Sequence, residues 1–393
     1  PKAYQISQLY LPICRNGAVK INVDGAEKTI RIHEIHMEED AGKLIHDPFL
    51  EATRADYNRC GVPLIEIVSE ADFRNAGEVV AYLEKLKSTF EYLGVSDCKM
   101  QEGSMRADVN LSVRPVGQKE FGTRTEMKNL NSLKAIVRAI AYESKRQIDV
   151  IESGKSIMQE TRRWDDNKGK SYAMRSKENA QDYRYFPEPD IPPIEITDED
   201  IEKLRAGFPE FSDAKRTRYI ADFGLPAYDA DMITAQKPLA DFFEAASAIC
   251  GKPKEVSNWI MGDMMKLLKD NELEASEISI SPSDLALLIE KVDSGAINRK
   301  KAREIFAVAF SEKLDIEKYI KDNGLEQIRD DSAIEAVVAK VIADNPKTVD
   351  EYLSGKTKVF GFFVGQSMRQ LKGKADPAII NEIVKKELDN LQR

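Results

Sequence analysis

The period of the hydrophobic pattern changes once along this chain. Before about residue 185, apolar residues recur mainly with the period of two that is typical of strands, and after residue 197 with the period of an α-helix. Between these halves, YFPEPDIPPIEI (185–196) holds four prolines in twelve residues, which excludes a helix interior. The sequence therefore predicts an α+β domain on a largely antiparallel sheet, closed by an extended segment and followed by an all-helical region.

A chain of 393 residues is expected to form more than one domain. We predict an α+β domain over 1–196, a helical domain over 197–295 and a helical tail domain over 296–393. Two helices interrupt the first domain, one following the N-cap Asn75 and one ending near Gly154. The apolar stripe predicted for the second of these helices contains Leu133, Ile136, Val137, Ile140 and Ile148.

Composition excludes several classes of protein. No apolar run approaches the ~18 residues that span a bilayer, and the N-terminus does not resemble a signal peptide. The four cysteines are far apart, which predicts reduced thiols in a cytoplasmic protein and neither a zinc site nor a disulfide framework. A net charge of −9 disfavours a general nucleic-acid binder, although a local basic patch remains possible.

The segment MQEGSMRADVNLSVR (100–114) alternates apolar and polar residues from Met105 to Val113. This alternation predicts a β-strand with one buried face. The other face carries groups with directional hydrogen-bonding or ligand chemistry, namely Arg106, Asp108 and Asn110. The simpler interpretation is a polar strand face with an internal ion pair between the arginine and the aspartate.

In GVPLIEIVSE (61–70), Glu66 shares a strand face with Leu64 and Val68, so we expect its carboxylate to be at least half buried. Burying an unpaired carboxylate is strongly unfavourable, and a metal ion or a cation must compensate it. A structural ion pair with Arg59 is the alternative.

The segment HEIHMEEDAGK (33–43) holds two histidines and four acidic residues within eight positions. The histidine spacing suggests zinc, but carboxylates dominate, and these favour a hard ion such as Mg²⁺. From this segment we select Glu39 as a metal ligand; a solvated acidic loop is the alternative.

In GTRTEMKNLNS (122–132), Glu126 and Lys128 share a strand face, and Asn129 and Asn131 follow at the turn into a helix. A surface strand with paired charges is the simpler interpretation. Taken together, however, the four segments supply carboxylates, cations and amides on sheet strands, which is the inventory that phosphoryl transfer uses. No P-loop, dinucleotide-binding glycine motif or nucleophile elbow is found in the sequence.

The chain resembles the B-subunit family (GatB) of bacterial tRNA-dependent amidotransferases over essentially its whole length. The segments that carry the resemblance are long and specific: DYNRCGVPLIEIVSE, HMEEDAGK, EGSMRADVNLSVRP, KNLNS, QETRRWD and DYRYFPEPDIPP. The segment FGFFVGQSMRQLKGKADP (360–377) is similar to the family's YqeY-like tail.

This resemblance implies a cradle domain related to glutamine synthetase and guanido kinases, then a helical domain and a helical YqeY-like tail. It implies an ATP-dependent carbon–nitrogen ligase with glutamine as amido donor. ATP and Mg²⁺ would serve to phosphorylate the side-chain carboxylate of Glu-tRNA(Gln) and/or Asp-tRNA(Asn). Ammonia from a glutaminase A subunit would then displace phosphate, within a cytoplasmic complex that also contains a C subunit.

Matching by motif assigns candidate roles to residues. The catalytic candidates are Arg106, Asp108, Glu126 and Lys128. The candidates for binding ATP or substrate are Asn110, Asn129 and Asn131. The metal-ligand candidates are Glu39, Glu66, Asp108 and Glu126. A signature stretch that we expect to close the cradle contains Tyr183, Arg184 and Tyr185.

One departure from the family is expected to matter. Its members normally begin with a further stretch that carries a glutamate and a histidine in an IGLEVH strand, and nothing in this sequence matches it. We therefore expect the chain to be short at its N-terminus, which puts its full kinase activity in doubt.

The C-terminal segment between Glu351 and Asp376 contains five basic residues and no acidic one, interleaved with phenylalanines. The basic residues, which we predict to contact tRNA, are Lys356, Lys358, Arg369, Lys372 and Lys374. Such contacts are salt-sensitive and suit recognition of folded RNA by shape. A cationic helix face above core phenylalanines (Phe360, Phe362 and Phe363) is the alternative.

Two other functions remain open at this point. The chain could be a non-catalytic scaffold subunit that only binds tRNA. It could also be a small-molecule ATP-dependent amide ligase, which predicts activity without tRNA.

Overall fold

The structure is a computed structural model. It describes residues 11–47, 52–176, 189–190, 192–312, 314–325, 331–371, 375 and 377–391. Several residues singled out above lie outside these ranges: Tyr183, Arg184, Tyr185, Lys372 and Lys374. The chain divides into two compact units, residues 1–211 and 212–393. Of the proline-rich segment, residues 192–196 have no regular secondary structure.

The described part of the first unit combines strands with helices. Its strands are β1 (Cys14–Val23), β2 (Ala26–Glu39), β3 (Lys43–Asp47), β4 (Ala52–Asp56), β5 (Pro63–Ser69), β6 (Val109–Leu111), β7 (Thr125–Lys128), β8 (Glu160–Asp165) and β9 (Lys170–Ser176). Its helices are α1 (Ala76–Leu93), α2 (Leu133–Glu152) and α3 (Asp198–Ala206).

The strands form three sheets with the orders β1-β2-β5, β3-β4 and β6-β7-β8-β9. All pairs are antiparallel except β7 with β8, where Glu126 lies opposite Thr161 in a parallel register. The predicted α+β class and the mainly antiparallel pairing are therefore confirmed.

The predicted strand at 105–113 is only partly regular. It pairs with β7 over Val109–Leu111, because β7 itself has only four residues and offers no longer partner. The exposure of the side chains nevertheless alternates from residue 105 to residue 111 as predicted, with the apolar residues packed on the core. The segment thus presents its polar face without a continuous ladder of hydrogen bonds.

Helices α1 and α2 pack on the core of this unit beside Ile30, Met127 and Trp164. Helix α1 begins after Asn75, whose side chain accepts a hydrogen bond from the backbone N–H of Glu78, and it ends at Gly94 in the left-handed conformation, as predicted.

The stripe predicted for α2 is wrong at two positions. Val137 and Ile148 are 39% and 44% exposed, whereas Glu143 and Gln147 are fully buried. A hydrophobic pattern cannot reveal a buried face that contains polar residues, because it scores them as exposed.

The described part of the second unit is helical. Its α-helices are α4 (Ser212–Phe223), α5 (Ala227–Thr234), α6 (Lys237–Cys250), α7 (Pro253–Trp259), α8 (Met265–Asp270), α9 (Pro282–Asp293), α10 (Arg299–Ser311), α11 (Ile316–Asp322), α12 (Asp331–Ala343), α13 (Pro346–Leu353), α14 (Phe360–Gln370) and α15 (Pro377–Asn390). A π-helical turn (Ile260–Met264) joins α7 to α8.

Among the described residues of this unit, two apolar clusters stabilise the helices, one between Tyr219 and Ile320 and one between Ile334 and Leu388. Residues on both sides of position 295 belong to the first cluster, so this packing gives no support to a division there. Among the described residues, no helix is both long enough and apolar enough to cross a membrane.

Candidate functional site

A lysine bridges two carboxylates beside β6 and β7. The Nζ atom of Lys128 lies 2.5 Å from Oδ2 of Asp108 and 3.2 Å from Oε1 of Glu126. Asn110 lies directly opposite Glu126 across the two strands, so its side chain shares their face. The structure thus brings four of the predicted site residues together. It also shows that Asp108 pairs with Lys128, so the internal pair with Arg106 that the sequence allowed is wrong.

The charge state of Lys128 follows from these contacts. Partial burial alone would lower the pKa of its ammonium group, but the hydrogen bond from Lys128 to Asp108 and the charges of Asp108 and Glu126 outweigh it and raise the pKa. Lys128 is therefore a fixed positive charge at neutral pH, held where carboxylates converge.

The surrounding strands hold Glu126 and the following turn. The hydroxyl of Thr161 on β8 donates to Oε2 of Glu126 at 2.8 Å. Asn129 follows β7 with a φ of 68°, and its side chain donates to the carbonyl of Trp164 at 3.0 Å. An asparagine tolerates this left-handed conformation better than most residues. Asn131 is exposed just before α2.

A second group of carboxylates lies on the β1-β2-β5 sheet. Glu66 on β5 stands opposite His36 on β2. Partial desolvation, followed by the charge of nearby Glu38, raises the pKa of Glu66, and Asp108 acts in the same direction. Glu38, Glu66 and Asp108 therefore form one electrostatic cluster that carries excess negative charge.

Two expectations about this cluster need correction. Glu66 is exposed, and so less buried than expected, although His36, its partner across the strands, is only 6% exposed. Glu39 lies opposite Pro63, on the other face of the sheet from Glu66, and is exposed. The structure therefore does not bring Glu39 to the other candidates, and Glu38 takes that place. Glu38 and Glu39 are adjacent in sequence, and only the register of β2 against β5 determines which of them shares a face with Glu66.

Asp40, a residue for which the sequence predicted no role, holds two arginines, one of which is the candidate Arg106. Its carboxylate accepts from Nε of Arg59 at 2.9 Å and from a terminal nitrogen of Arg106 at 2.8 Å. Asp40 is 5% exposed, and although its burial would raise its pKa, the two arginines lower it. Arg59 thus pairs with Asp40, so the proposed ion pair between Arg59 and Glu66 is wrong. Arg106 is tethered to the end of β2.

The carboxylates of the candidate site are not arranged as a coordination shell for a metal ion. In the part of the chain that the structure describes, no group of three or more His, Cys, Asp or Glu side chains is placed to hold a metal ion. The donor set is nevertheless composed of carboxylate oxygens, which Mg²⁺ prefers. Desolvation is the main cause of the raised pKa of Glu66, and the charges of Glu38 and Asp108 add to it, a repulsion that a bound cation would relieve. The chemistry of the donor set therefore fits a hard divalent ion.

The basic segment of the second unit shows features of both a tRNA-binding surface and a cationic helix face above core phenylalanines. Lys356, Lys358 and Arg369 are exposed, and Lys356 lies 3.4 Å from Glu351. Phe363 is fully buried, as the core alternative requires, whereas Phe362 is 39% exposed. The described basic side chains are thus accessible to a partner.

The first unit is a sheet unit with clustered carboxylates, a charged lysine and amides, and the second is a helical unit with an exposed basic segment. This combination is typical of a protein with a catalytic part and a separate binding part. Residues 1–202 match the family model described as the GatB/GatE catalytic domain, and residues 241–388 match the GatB domain of YqeY type.

Curated relatives specify the family. The chain is 58% identical to the B subunit of the aspartyl/glutamyl-tRNA(Asn/Gln) amidotransferase of Lachnoclostridium phytofermentans, over 99% of this chain and 81% of that protein. It is 57% identical to the B subunit from Lachnospira eligens, over 99% of this chain and 82% of that protein. It is 54% identical to the one from Caldicellulosiruptor bescii, over 100% of this chain and 82% of that protein. The chain belongs to the family of aspartyl/glutamyl-tRNA amidotransferase B subunits, whose name denotes one component of a larger enzyme.

Proposed function

We propose that this chain uses ATP to phosphorylate the side-chain carboxylate of Glu-tRNA(Gln), Asp-tRNA(Asn) or both, as the B subunit of a complex with a glutaminase A subunit and a C subunit. The observation that carries the proposal is the bridge of Lys128 between Asp108 and Glu126. A fixed cation among carboxylates and amides suits the transfer of a charged phosphoryl group. The proposal includes a cradle of glutamine synthetase type for the sheet unit.

The chemical steps conserve atoms and charge. A carboxylate oxygen of the misacylated residue forms a bond to the γ-phosphorus of ATP, and the bond from that phosphorus to the bridging oxygen of ADP breaks. Ammonia, supplied from glutamine, then attacks the acyl carbon, inorganic phosphate leaves and the nitrogen loses a proton. Activation is needed because a free carboxylate is a poor acyl donor, whereas an acyl phosphate is a good one.

The residues have distinct proposed roles in these steps. Lys128 and Arg106 stabilise negative charge on the transferring phosphoryl group, and Asn110, Asn129 and Asn131 orient oxygens of ATP or substrate. Mg²⁺, when bound, would be held by Glu66, Asp108 and Glu38 and would neutralise the phosphates of ATP. Glu126, fixed by Thr161, keeps Lys128 in place.

The exposed cations of the second unit support a tRNA-binding role for Lys356, Lys358 and Arg369. Each phosphate contact releases counterions, so binding through this segment weakens as salt increases. The same exposed residues favour the second candidate function, a scaffold subunit that binds tRNA without chemistry of its own.

An omission experiment on the assembled complex separates these functions. We expect phosphate release to require both ATP and misacylated tRNA, and amide formation to require glutamine as well. Binding of tRNA without any phosphate release would establish the scaffold and contradict our proposal. Phosphate release at the same rate without tRNA would point to a small-molecule ligase.

The affinity for a divalent ion should depend on pH through Glu66. Its pKa is raised, so a proton competes for this carboxylate at pH values above the ordinary glutamate pKa of about 4.3, and metal binding should strengthen as the pH rises. We expect Glu66→Gln to weaken binding and to flatten this pH dependence. The measurement is a titration with Mn²⁺, followed by its magnetic resonance, at mildly acidic and at neutral pH.

The matched control is Glu39→Gln, which neutralises a carboxylate on the opposite face of the same sheet. It should leave both the affinity and its pH dependence unchanged. If Glu39→Gln has the larger effect, the assignment of the metal ligands from the sheet register is wrong.

A further inference from the structure

A buried polar network lies directly behind the candidate site. Thr125, Glu143 and Gln147 are each fully buried, and Arg162 and Ser171 are 9% and 4% exposed. These residues belong to β7, α2, β8 and β9, so the network connects one helix to most of the sheet that carries the site. Such a concentration of buried polar groups is unfavourable unless the groups satisfy one another.

The side chain of Gln147 makes hydrogen bonds to backbone groups that a neighbouring strand would otherwise bind. Its side-chain amide donates to the carbonyl of Leu111 at 3.1 Å and accepts from the N–H of Val113 at 3.2 Å. These two backbone groups flank Ser112, where β6 has ended, and a side-chain amide has both the donor and the acceptor that they need. The backbone that follows Asn110 is therefore held by Gln147.

The same amide also holds β7. Its nitrogen lies 2.9 Å from both the hydroxyl oxygen of Thr125 and Oε1 of Glu143, so two N–H groups are shared among three acceptors. The Thr125 hydroxyl in turn donates to Oε1 of Glu143 at 2.8 Å. Thr125 points into this network, and the next residue, Glu126, points to the site, because side chains alternate along a strand.

Arginines compensate the charge of Glu143. Arg146 donates to both carboxylate oxygens, at 2.7 and 2.8 Å, and Arg162 lies 3.5 Å from Oε2. Burial alone would raise the pKa of Glu143, but the hydrogen bonds from Arg146, Gln147 and Thr125 lower it. The network is thus ionised and fully connected at neutral pH.

We propose that Gln147, together with Glu143, is a positioning residue that fixes β6 and β7 so that Asp108, Glu126 and Lys128 meet in reactive geometry. This inference rests on the proposed function. Neither residue touches the site itself. Gln147 binds backbone groups of Leu111 and Val113 beside the site, and both residues hold the side-chain hydroxyl of Thr125 on β7.

The test uses two variants of the B subunit in its assembled complex. Gln147→Met keeps the volume but removes every hydrogen bond, and a misplacement of this kind lowers kcat by about 10- to 100-fold. The KM for tRNA should not change, because the basic residues proposed to bind tRNA belong to the second unit. Hydrogen exchange of the peptide containing Val113 should accelerate, which is a readout independent of activity.

Gln147→Glu adds a pH signature that a purely structural role would not produce. The introduced carboxyl lies beside Glu143, so its pKa is raised and it becomes protonated as the pH falls. The protonated form can donate one hydrogen bond, whereas the ionised form can donate none. Activity relative to wild type should therefore rise as the pH falls for Gln147→Glu and stay constant for Gln147→Met. Thermal unfolding at each pH identifies the range in which both are folded.

Lys145→Met is the matched control, since Lys145 lies on the exposed side of the same helix. It should match wild type in exchange and in kcat. Faster exchange at Val113 in Gln147→Met with an unchanged kcat would overturn this inference and leave the proposed function standing. A ratio of the kcat of Gln147→Glu to that of wild type that does not change with pH would have the same consequence. An inactive wild-type complex would overturn the proposed function, and with it the inference.

Discussion

Replacing Lys128 with methionine should lower phosphate release in the assembled complex by about 100- to 1,000-fold, the loss typical when one preorganised charge-stabilising group is removed. Methionine preserves most of the length of the side chain and removes its charge. The contacts with Asp108 and Glu126 keep Lys128 protonated in the wild type, so the loss should persist across neutral pH. The measurement is the rate of phosphate release with saturating ATP and misacylated tRNA.

The control for this variant is Lys134→Met, because Lys134 is exposed near the start of α2. It should retain the wild-type rate. The affinity of the Lys128→Met complex for tRNA should also be unchanged, which separates chemistry from docking. A Lys128→Met complex that releases phosphate within about twofold of wild type would refute the role proposed for Lys128 in charge stabilisation.

Replacing Glu143 with alanine should destabilise the first unit by about 3–5 kcal/mol, because Arg146 and Arg162 then lose a buried partner. Glu143 is fully buried, so solvent does not screen this loss. The lowered pKa of Glu143 fixes the sign of the pH dependence. Its stabilising contribution is present above the unfolded pKa of about 4.3 and is lost as the pH falls through the lower folded value. The difference in the free energy of unfolding between Glu143→Ala and wild type should therefore become smaller at acidic pH.

Denaturant unfolding at neutral and at acidic pH measures this effect. Asp149→Ala is the control, since Asp149 is exposed on the same helix, and its free energy of unfolding should stay within about 0.5 kcal/mol of wild type. Equal stabilities for Glu143→Ala and Asp149→Ala would show that the network does not support the sheet.

Local features were predictable because they depend on neighbouring residues. The N-cap of α1 follows from Asn75. The change from strand to helical period predicted a sheet region followed by a helical one, but the compact units divide at residues 211 and 212, so helix α3 belongs to the first unit. Strand alternation also predicted that Glu126 and Lys128 share one face, whereas the contact of Lys128 with Asp108 depends on how two strands pair.

Features that depend on pairing between distant segments were not predictable. Glu38 and Glu39 are adjacent and chemically identical, and only the register of β2 against β5 places one of them beside Glu66. The partner of Arg106 was missed for the same reason, since Asp40 is 66 residues away.

The sequence by itself determined the α+β class, the positions of α1 and α2, the polar inventory of the site and membership of the amidotransferase B-subunit family. Tertiary structure alone decided which carboxylates share a face, which arginine neutralises which acid, and that Glu143 and Gln147 are buried behind the strands. The physical reason is that periodicity and capping arise from contacts between near neighbours, whereas strand register and the burial of polar groups depend on the whole packed sheet.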